Sequence, residues 1–251
     1  MEYQKDFSTL HESMYDVEGR RRKARTAIRV LESVLGDRVA ASRLLNVGSS
    51  SGIMDAEFAK EFREVIGIDI DEAAIGHARA TFHLPNLRFE LGDGLNIPYP
   101  DASFDVLICS QVYEHVPDQP RLMHELERVL KPGGVCYFAA TNRYILVEPH
   151  FRLPFLSWLA PALSDLYLRL SGRGRNYYER MRSYGDLRKL VARFEVIDYT
   201  AVIIGDPARY EFNYLVPTGS LTQSISHFVA SRLPWLCPGY IWILRKRATQ
   251  D

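Results

Sequence analysis

Leu44-Leu45-Asn46-Val47-Gly48-Ser49-Ser50-Ser51-Gly52, followed by Val65-Ile66-Gly67-Ile68-Asp69, decides the fold of this chain. An apolar run of strand length ends in a glycine-bounded loop, a short helical stretch intervenes, and a second apolar run ends on an acid. Strand, tight loop, helix, strand and acid in that order build a nucleoside pocket. Glycine lets backbone approach a ligand closely, and a carboxylate at the end of the next strand can accept hydrogen bonds from ribose hydroxyls. Spaced glycines at a strand–helix turn also serve packing alone, so the reading depends on what lies around the loop.

Outward from this stretch the pattern alternates. Apolar runs predict strands near 44–47, 65–69, 87–90, 104–109 and 134–140, with helices near 53–62, 72–81 and 119–130 between them. Lys131-Pro132-Gly133-Gly134 is a stop between the third of these helices and the fifth strand. Ahead of the core, Ala24, Ala27, Ile28, Leu31, Val34 and Leu35 recur at helical spacing over 16–35. After Asn142 comes a segment, 143–182, rich in aromatic residues and arginine. A helix near 184–193, a strand near 194–204, an irregular or helical connection over 205–236 and a last strand near 240–246 follow. The expectation is an α/β fold, a Rossmann-like seven-stranded mostly parallel sheet with helices on both faces and a helical cap. Its parts are an N-terminal helical segment over the site (1–43), a cofactor core (44–142), a substrate cap and helix (143–193) and C-terminal strands (194–251).

A length of 251 residues suits one elaborated domain, and a formal net charge of zero gives no electrostatic argument for nucleic acid as a partner. Cys109, Cys136 and Cys237 are scattered, which suggests neither a disulfide framework nor a zinc site. The first residues are polar, without a signal-peptide pattern, and no apolar run is long enough to span a bilayer. The expected location is the cytoplasm, with at most peripheral contact at the inner face of a membrane.

In an open parallel sheet ligands bind beyond the carboxyl ends of the strands. Four polar features fall there: the Gly48–Gly52 loop, Asp69, Asp93 within Leu91-Gly92-Asp93-Gly94, and Ser110-Gln111-Val112-Tyr113-Glu114-His115. With Gly67-Ile68-Asp69-Ile70-Asp71, Ile97-Pro98-Tyr99, Ser103-Phe104-Asp105-Val106, Glu114-His115-Val116-Pro117-Asp118 and Arg128-Val129-Leu130-Lys131-Pro132-Gly133-Gly134, residues 42–142 resemble the class I S-adenosylmethionine-dependent methyltransferases, specifically those with a methyltransferase-11 type domain. The resemblance implies that the backbone of Gly48, Ser49, Ser50 and Gly52 faces the methionine part of the cofactor, that Asp69 holds the ribose, and that Asp93 with Gly94 faces the adenine, flanked by Ile70 and Leu95. It places Ser110, Gln111, Glu114 and His115 beside the sulfonium and the acceptor. Two positions depart from the family: Asn46 stands where an acid is usual, and Ser50 where a further glycine is usual.

The expected activity is transfer of a methyl group from S-adenosylmethionine, leaving S-adenosylhomocysteine, by in-line displacement that needs no metal. A hydroxyl acceptor would need a base, with His115 first and Glu114 second. Tyr15 is a candidate cover for the methionine end, while Arg20, Arg21, Arg22 and Lys23 read as a solvated helix face. The 143–182 segment is where acceptor choice is expected. Its apolar stripe, Pro154 to Ala160 with Leu163, Leu166, Tyr167 and Leu170, reads either as a lid packed on the domain or as an interfacial surface. The second reading brings 150–175 to a membrane and selects a hydrophobic or lipid-linked acceptor, a lipid-linked glycan among them, rather than another small molecule. A competing reading, drawn from Asn46 and Ser50, is a catalytically silent protein of this fold that binds a partner through 143–236. A dehydrogenase fits less well, because the loop lacks GxGxxG spacing.

Overall fold

In the computed structural model, which describes residues 15–247, the strands are β1 (Arg43–Val47), β2 (Glu64–Asp69), β3 (Leu87–Leu91), β4 (Phe104–Ser110), β5 (Leu130–Thr141), β6 (Glu195–Asp198) and β7 (Gly239–Arg245). They form one seven-stranded sheet in the order β3-β2-β1-β4-β5-β7-β6. The pairings from β3 through β5 are parallel, and β7 runs antiparallel to both β5 and β6. The expected mostly parallel α/β sheet is therefore what the chain forms.

The helices are α1 (Val17–Leu35), α2 (Ile53–Phe58), α3 (Glu72–Thr81), α4 (Gln119–Val129), α5 (Pro161–Ser171), α6 (Tyr184–Leu190), α7 (Thr200–Gly205) and α8 (Leu221–Arg232). Successive strand residues point to opposite faces, so Leu44, Val65 and Val106 join one core while Leu45, Ile66 and Leu107 join the other. The first core takes Ala27 and Leu31 of α1, Phe58 of α2, Ile75 of α3 and Ile203 of α7. The second takes Leu122 and Leu126 of α4, Leu187 of α6 and Ala230 of α8. Each of the fully buried leucines and isoleucines contributes about 1.5–3 kcal/mol by leaving water, which fixes the strand register.

Three helices begin on aspartates that accept from the first turn: Asp16 from the Gly19 N–H (3.0 Å), Asp71 from Ala74 (3.1 Å) and Asp118 from Arg121 (2.9 Å). The last two hold the loops after β2 and β4 in place at the rim.

Several boundaries differ from expectation. The helix expected over 53–62 ends at Phe58. Lys131-Pro132-Gly133-Gly134 does stop α4, yet Leu130 already pairs with Phe104 and the four residues bulge out before Val135 pairs with Val106. The strand expected over 194–204 ends at Asp198, whose carboxylate accepts the Thr200 N–H at 2.8 Å, and α7 begins there. The 205–236 connection contains α8, and the 143–182 segment contains α5 and a short 3₁₀ turn at Leu156–Trp158. Of the N-terminal segment expected to cover the site, residues 1–14 lie outside the described residues. Among the described residues no helix is long and apolar enough to cross a membrane.

Candidate active site

Strand order reverses between β1 and β4, and a cavity of about 1270 Å³ opens beyond the carboxyl ends of these strands. The first loop is held by the chain's own hydrogen bonds. The Gly48 and Ser49 N–H groups both donate to the Ile68 carbonyl, at 2.9 and 3.0 Å, which ties the loop to β2. Gly52 is left-handed (φ 77°), and a Cβ there would lie 2.6 Å from the Phe89 ring and 2.8 Å from Ala78, so only glycine fits. Ser50 adopts the left-handed region as well (φ 51°), with its N–H donating to Asp69 Oδ2 at 2.7 Å. The other carboxylate oxygen accepts from the Asp71 N–H at 2.9 Å. Burial raises the Asp69 pKa above its ordinary value, against the lowering effect of these hydrogen bonds.

Gly48, Ser50, Asp69, Ile70, Asp93, Gly94, Ser110, Gln111 and His115 all line the cavity, as the sequence led us to expect of a single rim. Asp93 turns its loop by accepting the Leu95 N–H at 2.8 Å. Gln111 is left-handed (φ 58°); its N–H donates to the Ala139 carbonyl (2.9 Å) and its side chain accepts from the Thr141 hydroxyl (2.6 Å). Strained backbone at the end of β4 is thus held by β5.

Asn46, Ser49, Gly52, Leu95 and Glu114 are not among the lining residues. Asn46 is buried behind the loop, where its amide donates to Asp55 Oδ2 at 3.0 Å. Asp55 is fully buried, and burial pushes its carboxyl up to about 7 despite this bond. Leu95 packs against the core of the α4 face. Glu114 is fully buried, neither carboxylate oxygen has a hydrogen-bond partner, and burial pushes it up to about 7. Tyr15 lies edge-on to His77 of α3, with ring centroids 5.0 Å apart, rather than in the cavity wall.

The basic run on α1 divides. Arg21 and Arg22 pair outward with Glu57 and Glu18, whereas Arg20 and Lys23 line the cavity, Arg20 within the fields of Asp55 and Asp69. This corrects the reading of the whole run as a solvated face. Other motif residues serve behind the wall: the Arg128 guanidinium donates to the carbonyls of Tyr99 (2.7 Å) and Ile97 (2.9 Å) and to Glu125 (2.7 Å), clamping the 96–99 loop onto α4.

Most of the remaining wall was not legible. Tyr137 and Thr141 of β5, Ile203 and Ile204 of α7, Phe212, Tyr214 and Leu215, and Ile225 and Val229 of α8 continue the cavity into an apolar chamber. This part of the cavity wall therefore comes largely from 200–241 and not from the 143–182 segment alone. One signal for α8 was present, Ser220-Leu221-Thr222-Gln223, in which the Ser220 hydroxyl accepts the Gln223 N–H at 3.1 Å.

From the cap, Ile145, Pro149, His150 and Arg152 reach the cavity. The cap is tied to the rim by Tyr113, whose hydroxyl donates to the Thr141 carbonyl (2.7 Å) and accepts the Arg182 N–H (3.1 Å). Its outer side exposes Tyr144, Leu146, Phe155 and Trp158, with Leu163, Leu166 and Leu170 on α5. Among the described residues no group of three or more His, Cys, Asp or Glu is arranged to hold a metal ion.

A family model described as a methyltransferase domain matches residues 45–138. A probable S-adenosylmethionine-dependent methyltransferase of Mycolicibacterium smegmatis is 39% identical over 109 residues, 43% of this chain and 42% of that protein. A ubiquinone biosynthesis O-methyltransferase of an Azoarcus species is 32% identical over 109 residues, covering 42% of this chain and 46% of its own length. The chain thus spans under half the length of these relatives. Among solved structures, an S-adenosylmethionine-dependent methyltransferase from Mesorhizobium loti superposes with a TM-score of 0.56 at 19% identity, over 86% of this chain and 95% of that one, a likeness of fold. Residues 45–138 thus carry a methyltransferase domain, and the sheet they build has the fold of S-adenosylmethionine-dependent methyltransferases.

Proposed function

We propose that this protein transfers the methyl group of S-adenosylmethionine to a nucleophile on a hydrophobic or lipid-linked acceptor. The observation that carries the reading is a single cavity running from Gly48, Ser50, Asp69 and Asp93 into the apolar chamber of Ile203, Ile204, Leu215, Ile225 and Val229. The residues at the first end fit the nucleoside: backbone free of side-chain bulk at Gly48, and carboxylates at the ends of successive strands. When bound, the cofactor supplies an electrophilic methyl carbon on a sulfonium. Asp69 would accept from the ribose hydroxyls, Asp93 would face the adenine amino group, and Gln111, braced by Thr141, would border the reacting centre. The chain lowers the barrier by holding acceptor and methyl close and aligned, a placement for which effective molarities of about 10⁵ M or more are available. One relative is named an O-methyltransferase of ubiquinone biosynthesis, which favours an oxygen nucleophile.

The silent reading rested on Asn46 and Ser50, and both have local accounts: Asn46 pairs with Asp55, and Ser50 binds Asp69 through its backbone. Titration calorimetry of the chain with S-adenosylmethionine and S-adenosylhomocysteine, with NAD as control, tests the proposal. Micromolar binding of both sulfur nucleosides and none of NAD is expected. Asp69→Ala should weaken both by about 1.5–3 kcal/mol, the worth of hydrogen bonds to a charged group. Wild-type affinity in that variant would remove Asp69 from the ribose site.

A further inference from the structure

Two histidines meet on the cavity wall. His115 comes from the turn after β4 and His150 from the cap, with ring centroids 5.0 Å apart at 83°. His150 is held by a carboxylate: its Nδ1 lies 2.6 Å from Glu148 Oε1. Glu148 is fully buried, and its other oxygen accepts the Phe151 N–H at 2.7 Å, so the main chain fixes the carboxylate that orients the ring. An imidazole that donates from Nδ1 to such a carboxylate carries its basic lone pair on Nε2.

We propose that His150, oriented by Glu148, is the general base that takes the proton of a hydroxyl acceptor, with His115 packing against its ring. The inference rests on the methyltransferase reading above. In the step, the acceptor O–H gives its proton to His150 Nε2 and the oxygen forms a bond to the methyl carbon. The carbon–sulfur bond breaks with its electron pair returning to sulfur, which leaves the neutral thioether, and the proton passes from the imidazolium to water afterwards. The surroundings suit a ring that must become a cation. Burial works against the charged form, but the Glu148 hydrogen bond and the charges of Glu148, Glu179 and Glu114 outweigh it, so His150 is held above its ordinary 6.5. Among the described residues, the titratable groups facing it include Glu148 on its own loop, His115 and Glu114 from the turn after β4, and Glu179 from the irregular segment after α5. Glu148 and His150 lie outside the 45–138 match, so the assignment is a feature of this chain's cap.

Nitrogen-detected NMR of the histidine-labelled full chain, saturated with S-adenosylhomocysteine, reads tautomer and titration without an acceptor. We expect His150 protonated at Nδ1 and titrating above free histidine, and Glu148→Gln to lower that titration. An Nε2-protonated ring, or a titration that Glu148→Gln leaves in place, overturns the proposal. A second arm uses octyl gallate, a phenol with an apolar tail, and follows S-adenosylhomocysteine formation. His150→Gln should cut kcat about 10²-fold or more with the KM for S-adenosylmethionine nearly unchanged, and Glu148→Gln should shift the acid limb of the kcat profile to lower pH. A loss in His115→Gln as large as that in His150→Gln, or wild-type kcat in His150→Gln, overturns it. If the wild type leaves octyl gallate unmethylated, the NMR arm decides alone. Failure of the wild type to bind S-adenosylhomocysteine counts instead against the methyltransferase reading.

Discussion

Asn46 stands where the family's acid is usual, and its 3.0 Å bond to the buried Asp55 gives the physical reason an amide fits. A carboxylate at 46 would face a second carboxylate in a buried site, and the two could not readily both ionise. Asn46→Asp should therefore cost on the order of 2–4 kcal/mol in urea denaturation at pH 8, and the exchanged pair Asn46→Asp with Asp55→Asn should recover most of it. Equal stability of the single and exchanged variants would show that the pair is not coupled. The rim residues were legible because each is a polar side chain or glycine placed at a strand end, where sequence position alone fixes the location. Glu114 and Leu95 were misplaced because one residue of turn decides whether a side chain faces the cavity or the core, and the sequence pattern does not resolve a turn that fine.

At the scale of elements, Val196-Ile197 and Val202-Ile203-Ile204 read as one β-branched strand. Asp198 divides them by accepting the Thr200 N–H, and the helix that follows packs Ile203 into the core and brings both Ile203 and Ile204 to the cavity wall. Asp198→Ala should cost about 1 kcal/mol, the usual net worth of one such hydrogen bond, read as a lower urea midpoint; an unchanged midpoint would assign α7 to packing alone. The first five strands were legible to within a few residues because both their faces are covered, which writes near-continuous apolar runs into the sequence. Helix α8 was legible only as part of an irregular or helical connection, since Leu221 and Phe228 are exposed, Ile225 borders the cavity and Ala230 is its buried residue. Its apolar stripe does not mark the face that packs on the domain.

Across the whole molecule, burial pushes Asp55 and Glu114 up to about 7 from ordinary values of 3.8 and 4.5. Folding favours their neutral forms, so the stability linked to them is full below about pH 4, declines as pH rises towards 7, and is level beyond. Relative to the wild type, Asp55→Asn and Glu114→Gln should each gain up to about 3 kcal/mol between pH 4 and pH 8; parallel stability curves for variant and wild type would contradict the raised carboxyls. The sheet also divides labour along the chain. Thr141 at the end of β5 pairs directly with Gly239 at the start of β7. Between them the chain makes two excursions from the sheet, the cap with α6 and then α7 with α8, separated by β6, which pairs with β7 at the sheet edge. The entropy of closing such an excursion grows only with the logarithm of its length, so each can be lengthened, shortened or exchanged while the five parallel strands stay in register. Evolution, or an engineer, can thus graft a new recognition module between two neighbouring backbone positions and keep the parallel half intact.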